Sequence, residues 1–391
     1  MKILVASLFF PQLRATHAGG RFVAELVREL SKKHEVHLAS RIEETELSGS
    51  EELRPYCKSI SLFPYKKVAR RGLMTSVRLL VSYYRFGSEV NKLIKSGRFD
   101  LVQVEWVEAG FFLKRGTVPM VLDAHDIITK PAWRNVTISK GLVRLLYYLI
   151  YRAIRSGELR TIRKYDVIVT RAEYDKEYLR SMTKDAVIEV VPHPAGLDIS
   201  EKTYNRQKNA LLFLASFKHR RLNVDAALYF YQQVFPLVRA RFPDATFIIA
   251  GYGPPKELLS IGEKDPSVFI TGFVDDVDAY YKRAAVFVAP ILVGGGIIVK
   301  ILDAMAAGVP VVTTTYGNEG IGGKPGRDLV IGNTSEDFAE AVINILSDHT
   351  FAEKLEKNGK EYVEKNYGRD AVFTKIVSII EDLAKSKRHS A

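Results

Sequence analysis

The stretch PILVGGGIIVKILDAMAAGVPVVTT, from Pro290 to Thr314, gathers residue types that can do chemistry at close spacing. Gly294, Gly295 and Gly296 follow an apolar run and precede a helical pattern. Without Cβ atoms, their backbone can approach a ligand and turn N–H groups toward it. The start of a helix adds unpaired N–H groups and the positive end of its dipole. Together these features suit an anion site, best a diphosphate, although a plain tight turn would use the same three glycines. On the helix, Gly296, Lys300, Asp303 and Ala307 share one stripe. Ile297, Ile298, Ile301, Leu302 and Met305 share another, which is predicted to be core. Asp303 lies six residues beyond Ile297, about 9 Å along at ~1.5 Å per residue. That matches the reach from a bound diphosphate to the ribose of the same nucleotide, where a carboxylate can accept from both hydroxyls. A Lys–Asp pair on a solvated face would have the same spacing.

Other polar residues admit plainer readings. His125 follows an apolar run and stands between Asp123 and Asp126. His193, between two prolines, reads as rigid linker geometry. Asp275 and Asp276, in GFVDDVDAYY, read as a helix N-cap with first-turn acids rather than as metal ligands. No metal site is expected.

These residues need elements to position them. KILVASLFF, EVHLAS, DLVQVEW, VPMVLDAH, DVIVTRA and VIEVVPHP read as strands, with helical patterns between them, GGRFVAELVRELSKK the clearest. The second half restarts with NALLFLAS, the helix VDAALYFYQQVFPLVRARF, then ATFIIAGYG, VFITGF, AVFVAPI and VPVVTTT. Short apolar strands alternating with helices predict parallel sheets covered on both faces. The predicted organisation is an N-terminal Rossmann-like domain at 1–194, a linker at 195–207 and a second Rossmann-like domain at 208–368. A final helix at 369–391 packs back on the first domain in this reading. Two doubly wound domains would face a cleft, with ligands outside the carboxyl ends of the strands.

The chain has 391 residues, 47% hydrophobic and 26% charged, as in a globular protein. One cysteine, Cys57, excludes a disulfide framework and fits a reducing compartment. The apolar start, MKILVASLFF, reads as a first strand rather than a signal peptide, because Pro11 and a Gly-Gly at 19–20 interrupt it. No run reaches the ~20 apolar residues a spanning helix needs. Residues 1–194 hold 33 Lys+Arg against 21 Asp+Glu, and residues 195–391 hold 24 of each. The whole net charge of +12 therefore sits in the first half, which points to an anionic partner. The stretches 66–98 and 140–164 interleave basic with aliphatic and aromatic residues, as suits an anionic membrane surface; ordinary sheet-covering helices with exposed arginines would show the same pattern. No DNA- or RNA-binding module is present, and nucleic acid is not an expected partner.

The stretch LDAMAAGVPVV resembles the C-terminal signature of glycosyltransferase family 4 (group 1), in its GGG-x-x-x-K-I-L-[ED]-A branch. The likeness runs along most of the chain through ATHAGGRFVAELVREL, DAHDI, VVPHPAGLD, ASFKHRRLNVDAALYF, AGYGP and VFITGFVDDVDAYYKRAAVFVAP. It implies a GT-B fold and metal-independent, retaining transfer of a sugar from a nucleotide-diphosphate sugar such as a UDP-sugar. The implied acceptor is a glycan or a lipid-linked glycan of cell-surface polysaccharide synthesis. The implied location is cytoplasmic, peripheral on the inner face of the membrane. By motif position, Gly19 and Gly20 would approach the donor phosphates and His125 the transferred sugar. Phe273 and Val274 would flank the base, Gly251 would line the nucleotide site, and Gly294 to Gly296 with Asp303 would hold diphosphate and ribose.

Two positions depart from the family pattern. Where an E-x7-E pair would place its first Glu, this chain has Gly295. The family's Gly-Arg and following Lys are replaced by Ala215, Ser216 and Leu222. Lys218, Arg220, Arg221 and Lys300 then compete to neutralise the leaving diphosphate, and the helical position of Lys300 favours it. Two further readings use the same nucleotide site: a 2-epimerase-like GT-B enzyme, and a non-catalytic nucleotide-sugar-binding protein.

Overall fold

The computed structural model describes the chain except for residues 14–17, 67–72, 184, 196–205, 219, 294–296 and 389–391. The chain divides into two compact units, Met1–His193 with Val372–Ala391, and Pro194–Ala371.

In the first unit, seven parallel strands form one sheet: β1 (Lys2–Ser7), β2 (Glu35–Glu43), β3 (Ser59–Tyr65), β4 (Leu101–Glu105), β5 (Met120–Asp123), β6 (Val167–Thr170) and β7 (Val187–Val190). Their order is β3-β2-β1-β4-β5-β6-β7. The order reverses between β1 and β4, whose register pairs Ile3 with Leu101 and Ser7 with Glu105. Strands β1, β4, β5 and β6 are almost wholly buried, so they read as unbroken apolar runs. Strand β3 is absent from the sequence reading. It is a half-buried edge strand that carries Pro64 and two serines, so it has neither alternation nor an apolar run. Four helices matter below: α1 (Ala18–Ser31), α2 (Leu73–Gly97), α3 (Thr129–Ile138) and α4 (Gly141–Ile162).

The second unit carries six parallel strands: β8 (Ala210–Leu214), β9 (Thr246–Ala250), β10 (Val268–Gly272), β11 (Val286–Ala289), β12 (Val311–Thr313) and β13 (Val330–Ile331). Their order is β10-β9-β8-β11-β12-β13, with the reversal between β8 and β11. Successive residues alternate between two cores. Leu211, Phe213, Phe247, Ile249, Val286 and Val288 enter one, while Leu212, Ile248, Phe287 and Ala289 enter the other. That is the period of two in a sheet buried on both faces. The helix read as one piece over 224–242 is interrupted. Arg221–Tyr229 and Phe235–Arg241 are joined by a wide turn at Phe230–Val234, just before Pro236. Proline has no N–H to continue the ladder, and the turn absorbs the loss.

The last helix, Arg369–Arg388, closes the first unit's core with Phe373, Ile376, Ile380 and Ala384, spaced one helical turn apart, and with Val372 beside them. Phe373 stacks on Phe22 of α1 at 5.2 Å between ring centres. Glu381 and Lys387 pair with His34 at 2.9 Å and with Asp166 at 3.2 Å. Ile380 is fully buried, so Ile380→Ala should cost about 2–5 kcal/mol. Trp106 and Trp133, the chain's two tryptophans, both lie in the first unit. Urea unfolding followed by tryptophan fluorescence therefore reports that unit. An unchanged midpoint would mean that the C-terminal helix does not support it.

Candidate active site residues in the two units

In the first unit, the candidate residues stand at the carboxyl ends of the strands beside the β1/β4 reversal. Glu105 ends β4, Asp123 ends β5, His125 follows two residues later, and Arg171 follows β6. His125 Nε2 lies 2.7 Å from Glu105 Oε2. Arg171 Nη2 donates to Asp123 Oδ2 at 2.5 Å and stands 3.2 Å from His125 Nδ1, while its Nη1 donates to the Val191 carbonyl at 3.0 Å. The guanidinium also lies 3.9 Å over the Phe22 ring. Trp106 stacks on His125 at 4.1 Å, with the planes 17° apart. It takes the uncommon φ of +73°, and its N–H is held by the Asp123 carbonyl at 2.9 Å. A non-glycine residue in that region stores strain, which tends to occur at functional sites.

Gly19, in the first turn of α1, lies against this cluster. A Cβ there would come within 2.6 Å of the Trp106 ring and 3.4 Å of His125 Nδ1. Glycine thus lets the helix N-terminus approach the histidine, with Gly20 buried beside it.

Burial dominates the electrostatics. It pushes Glu105 up to about 7 and Asp123 up to about 6, against the downward pull of Arg171. Burial, with Arg171 and His125 nearby, pushes His193 down to about 2, so that imidazole is neutral. His193 lies 5.7 Å from the His125 ring and 5.4 Å from Phe22, inside the cluster rather than in a bare linker. The ligand atoms of Glu105, Asp123 and His125 lie within 4.8 Å of one another, a set able to hold a metal ion. The Arg171 guanidinium already occupies the cationic position beside two of them.

In the second unit, the candidates again follow strands at the reversal, here β8/β11. Lys300, on the helix Val299–Ala306 after β11, donates to Asn223 Oδ1 at 3.1 Å. Asn223 in turn donates to the Ser216 carbonyl at 2.7 Å in the loop after β8. The Lys300 ammonium also lies 4.5 Å over Phe213. Burial, reinforced by the charge of Arg220, pushes Lys300 down to about 8. Among the described residues, neither Lys300 nor Arg220 forms an ion pair. Arg221 does, with Asp225 at 2.7 Å and Glu257 at 2.6 Å. Lys218 is exposed and donates to the Tyr252 hydroxyl at 3.1 Å.

Asp303 is half-buried one turn beyond Lys300, near Tyr281, whose hydroxyl its charge helps to push up. Phe273 and Val274 follow β10; Phe273 is exposed and meets the Tyr252 ring edge-on at 6.2 Å. Gly251 has φ +140°, and a Cβ there would fall 1.7 Å from the Ala215 carbonyl oxygen. The crossing of the β8 and β9 loops therefore requires glycine at that position. Asp276 accepts from Ala279 N at 3.1 Å as the N-cap of the helix Val277–Arg283. Gly294, Gly295 and Gly296 lie outside the described residues.

Sequence reasoning singled out His125, Lys300 and Asp303 as candidates, but not their neighbours Glu105, Trp106, Arg171 or Asn223. The available signal was position, since Trp106 and Arg171 each follow directly on a strand.

Two parallel Rossmann-like sheets in one chain, each with functional residue types at its strand reversal, define a GT-B protein. Residues 19–198 match the model of Glycosyltransferase Family 4, and residues 208–348 match that of Glycosyl transferases group 1. The chain belongs to this family and is a glycosyltransferase. It is 25% identical over 395 residues to an uncharacterized 44.6 kDa protein in the cps region of Klebsiella pneumoniae, covering 96% of this chain and 98% of that one. It is 26% identical over 325 residues to the phosphatidyl-myo-inositol mannosyltransferase of Mycolicibacterium smegmatis, covering 78% of each. The fold is similar to that of Anabaena HepE, solved in complex with UDP, with a TM-score of 0.61, 13% identity and coverage of 98% and 100%.

The Glu105 carboxyl holds its proton more tightly in the folded chain than the ordinary 4.5. Its stabilising contribution is therefore full below pH 4.5 and lost as pH rises through about 7. Glu105→Gln cannot ionise and should reduce the loss of first-unit stability between pH 5 and pH 8 by roughly 3 kcal/mol. Urea midpoints at the two pH values measure this. Equal slopes for variant and parent would mean that Glu105 stays ionised throughout.

Proposed function

We propose that the protein moves a sugar from a nucleotide-diphosphate sugar to a glycan or lipid-linked acceptor, with retention of anomeric configuration, in the synthesis of a cell-surface polysaccharide. The observation that carries this reading is the pair Lys300 and Arg220 at the strand reversal of the second unit. Two neighbouring cations without an acidic partner among the described residues, one of them with a depressed pKa, are built to receive an anion. The relatives support the substrate classes. One is named as a mannosyltransferase acting on phosphatidyl-myo-inositol, one lies in a cps region, and one solved relative holds UDP.

In this reading, Lys300 and Arg220 neutralise the diphosphate, with Lys218 at its margin. Asp303 accepts from the ribose hydroxyls, and Phe273 and Val274 border the base. The N-terminus of α1 at Gly19 and Gly20 faces phosphate, and His125 hydrogen-bonds the sugar. Glu105 and Arg171 orient the His125 ring. The acceptor oxygen attacks C1 on the face from which the diphosphate departs. The C1–O bond to phosphate breaks as the new C1–O bond forms, and the acceptor proton passes to the departing phosphate oxygen. No carboxylate need act as base. The protein's work is to stabilise the charge that grows on the leaving group.

Lys300 carries its full charge well below pH 8 and loses it above. A bound diphosphate raises its proton affinity. Above about pH 7, where the terminal phosphate is already ionised, the dissociation constant of a nucleoside diphosphate should therefore rise by up to tenfold per pH unit. Lys300→Met should bind roughly tenfold or more weakly at pH 7 and lose this dependence. Calorimetric titration across the range tests both, and an unaltered profile in the variant would remove Lys300 from the diphosphate.

The other roles separate kinetically. Asp303→Ala should raise the donor KM tenfold or more, with a smaller change in kcat. His125→Ala should lower kcat by about a hundredfold or more while free-nucleotide affinity stays the same. Unchanged nucleotide affinity in Asp303→Ala would defeat the ribose assignment, and unchanged turnover in His125→Ala would return that ring to a structural role.

A further inference from the structure

The helices α3 and α4 form a hairpin that leaves an apolar face uncovered. Its base is fixed by Glu158, which accepts from the Ile128 N–H at 2.9 Å and the Thr129 hydroxyl at 2.5 Å. Inside the hairpin, Tyr151 packs on Trp133 at 4.9 Å. The opposite side of α4 carries Leu142, Leu145, Leu146 and Leu149, the i, i+3, i+4, i+7 stripe of one helical face. All four are exposed, Leu142 to 85%. A soluble surface does not normally leave so many adjacent leucines in water.

The charge around this face identifies its occupant. Residues 127–157 contain six Lys or Arg and no Asp or Glu. Lys130 is paired with Asp175. Arg134, Lys140, Arg144, Arg152 and Arg155 have no acidic partner among the described residues, and all but Arg155 are exposed. A second copy of the chain would bring the same cations against these and be repelled. An anionic lipid surface offers phosphates to the cations and acyl chains to the leucines at the same time. No helix among the described residues is long and apolar enough to cross a membrane.

We propose that the α3–α4 hairpin is a membrane-docking element whose leucine stripe enters the interface of an anionic bilayer, with the flanking cations on the phosphates. Exposed Leu80, Val81 and Tyr84 on α2, beside Arg78 and Arg85, form a second, smaller surface of the same kind. The leucines make the docking more than an electrostatic association.

The test is sedimentation of the full chain with vesicles of phosphatidylcholine and phosphatidylglycerol, three parts to one, without donor or acceptor. Its outcome is thus independent of the transfer assay. The parent should sediment with these vesicles and bind pure phosphatidylcholine at least about tenfold more weakly. Leu145→Glu/Leu149→Glu should lower partitioning about thirtyfold or more at low salt. Leu145→Ser/Leu149→Ser should lower it less while folding equally, checked by urea midpoint. Arg144→Glu/Arg152→Glu should weaken binding to anionic vesicles about tenfold or more. The proposal is overturned if the parent stays in the supernatant at low salt, or if both leucine variants bind like the parent. It is also overturned if light scattering finds a parent dimer that Leu145→Glu/Leu149→Glu splits while vesicle binding persists, because the stripe then covers a second copy.

Discussion

The first unit's strand ends are organised around one buried cation. Burying a guanidinium costs several kcal/mol unless it is paired and its donors are used. Arg171 meets that demand from three directions at once: the Asp123 carboxylate, the Val191 carbonyl and the Phe22 face. Each of these comes from a different element, so satisfying the charge fixes the ends of β5, β6 and β7 and the start of α1 relative to one another. His125 stands where those elements meet, against Trp106 on one side and Glu105 on the other. The backbone strain at Trp106 is tolerated because stacking and the N–H bond to Asp123 over-determine its place. Even so, the cation does not fully offset desolvation, since both carboxyl groups remain above their ordinary pKa.

This arrangement explains what could be read from the chain beforehand. The parallel α/β fold was legible because buried strands are short apolar runs between amphipathic helices, while the GT-B reading came from the resemblance of LDAMAAGVPVV and the motifs before it to glycosyltransferase family 4. Strand β3 was not legible, because an edge strand buries too little to need an apolar sequence. Lys300 and Asp303 could be singled out because they are charges on an apolar helix. Glu105 could not, because a single carboxylate at the end of LVQVE reads as the strand reaching solvent, whereas it is fully buried. Arg171 was hidden for a different reason. Its partner Asp123 is 48 residues away, and pairing across parallel strands leaves no local spacing to detect. His193 looked like a rigid linker because its two prolines describe the backbone and say nothing of where the ring packs.

The two units place opposite electrostatics at equivalent positions. At the β1/β4 reversal, cation and carboxylates largely compensate each other, and the chemistry left over is hydrogen bonding by an oriented imidazole. At the β8/β11 reversal, Lys300 and Arg220 repel each other, and the nearest partner of the ammonium is a neutral amide, Asn223. Cations without an acidic partner among the described residues are unfavourable when the site is empty, and an arriving anion relieves them. In the proposed reaction that relief grows along the reaction path, because a diphosphate ester gains negative charge as its bond to the sugar breaks. The depressed pKa of Lys300 and the catalytic effect assigned to it have one physical origin. The same burial that makes its charge costly in the empty site strengthens its interaction with the leaving group. Interactions that strengthen toward the transition state are the ones that accelerate the chemical step.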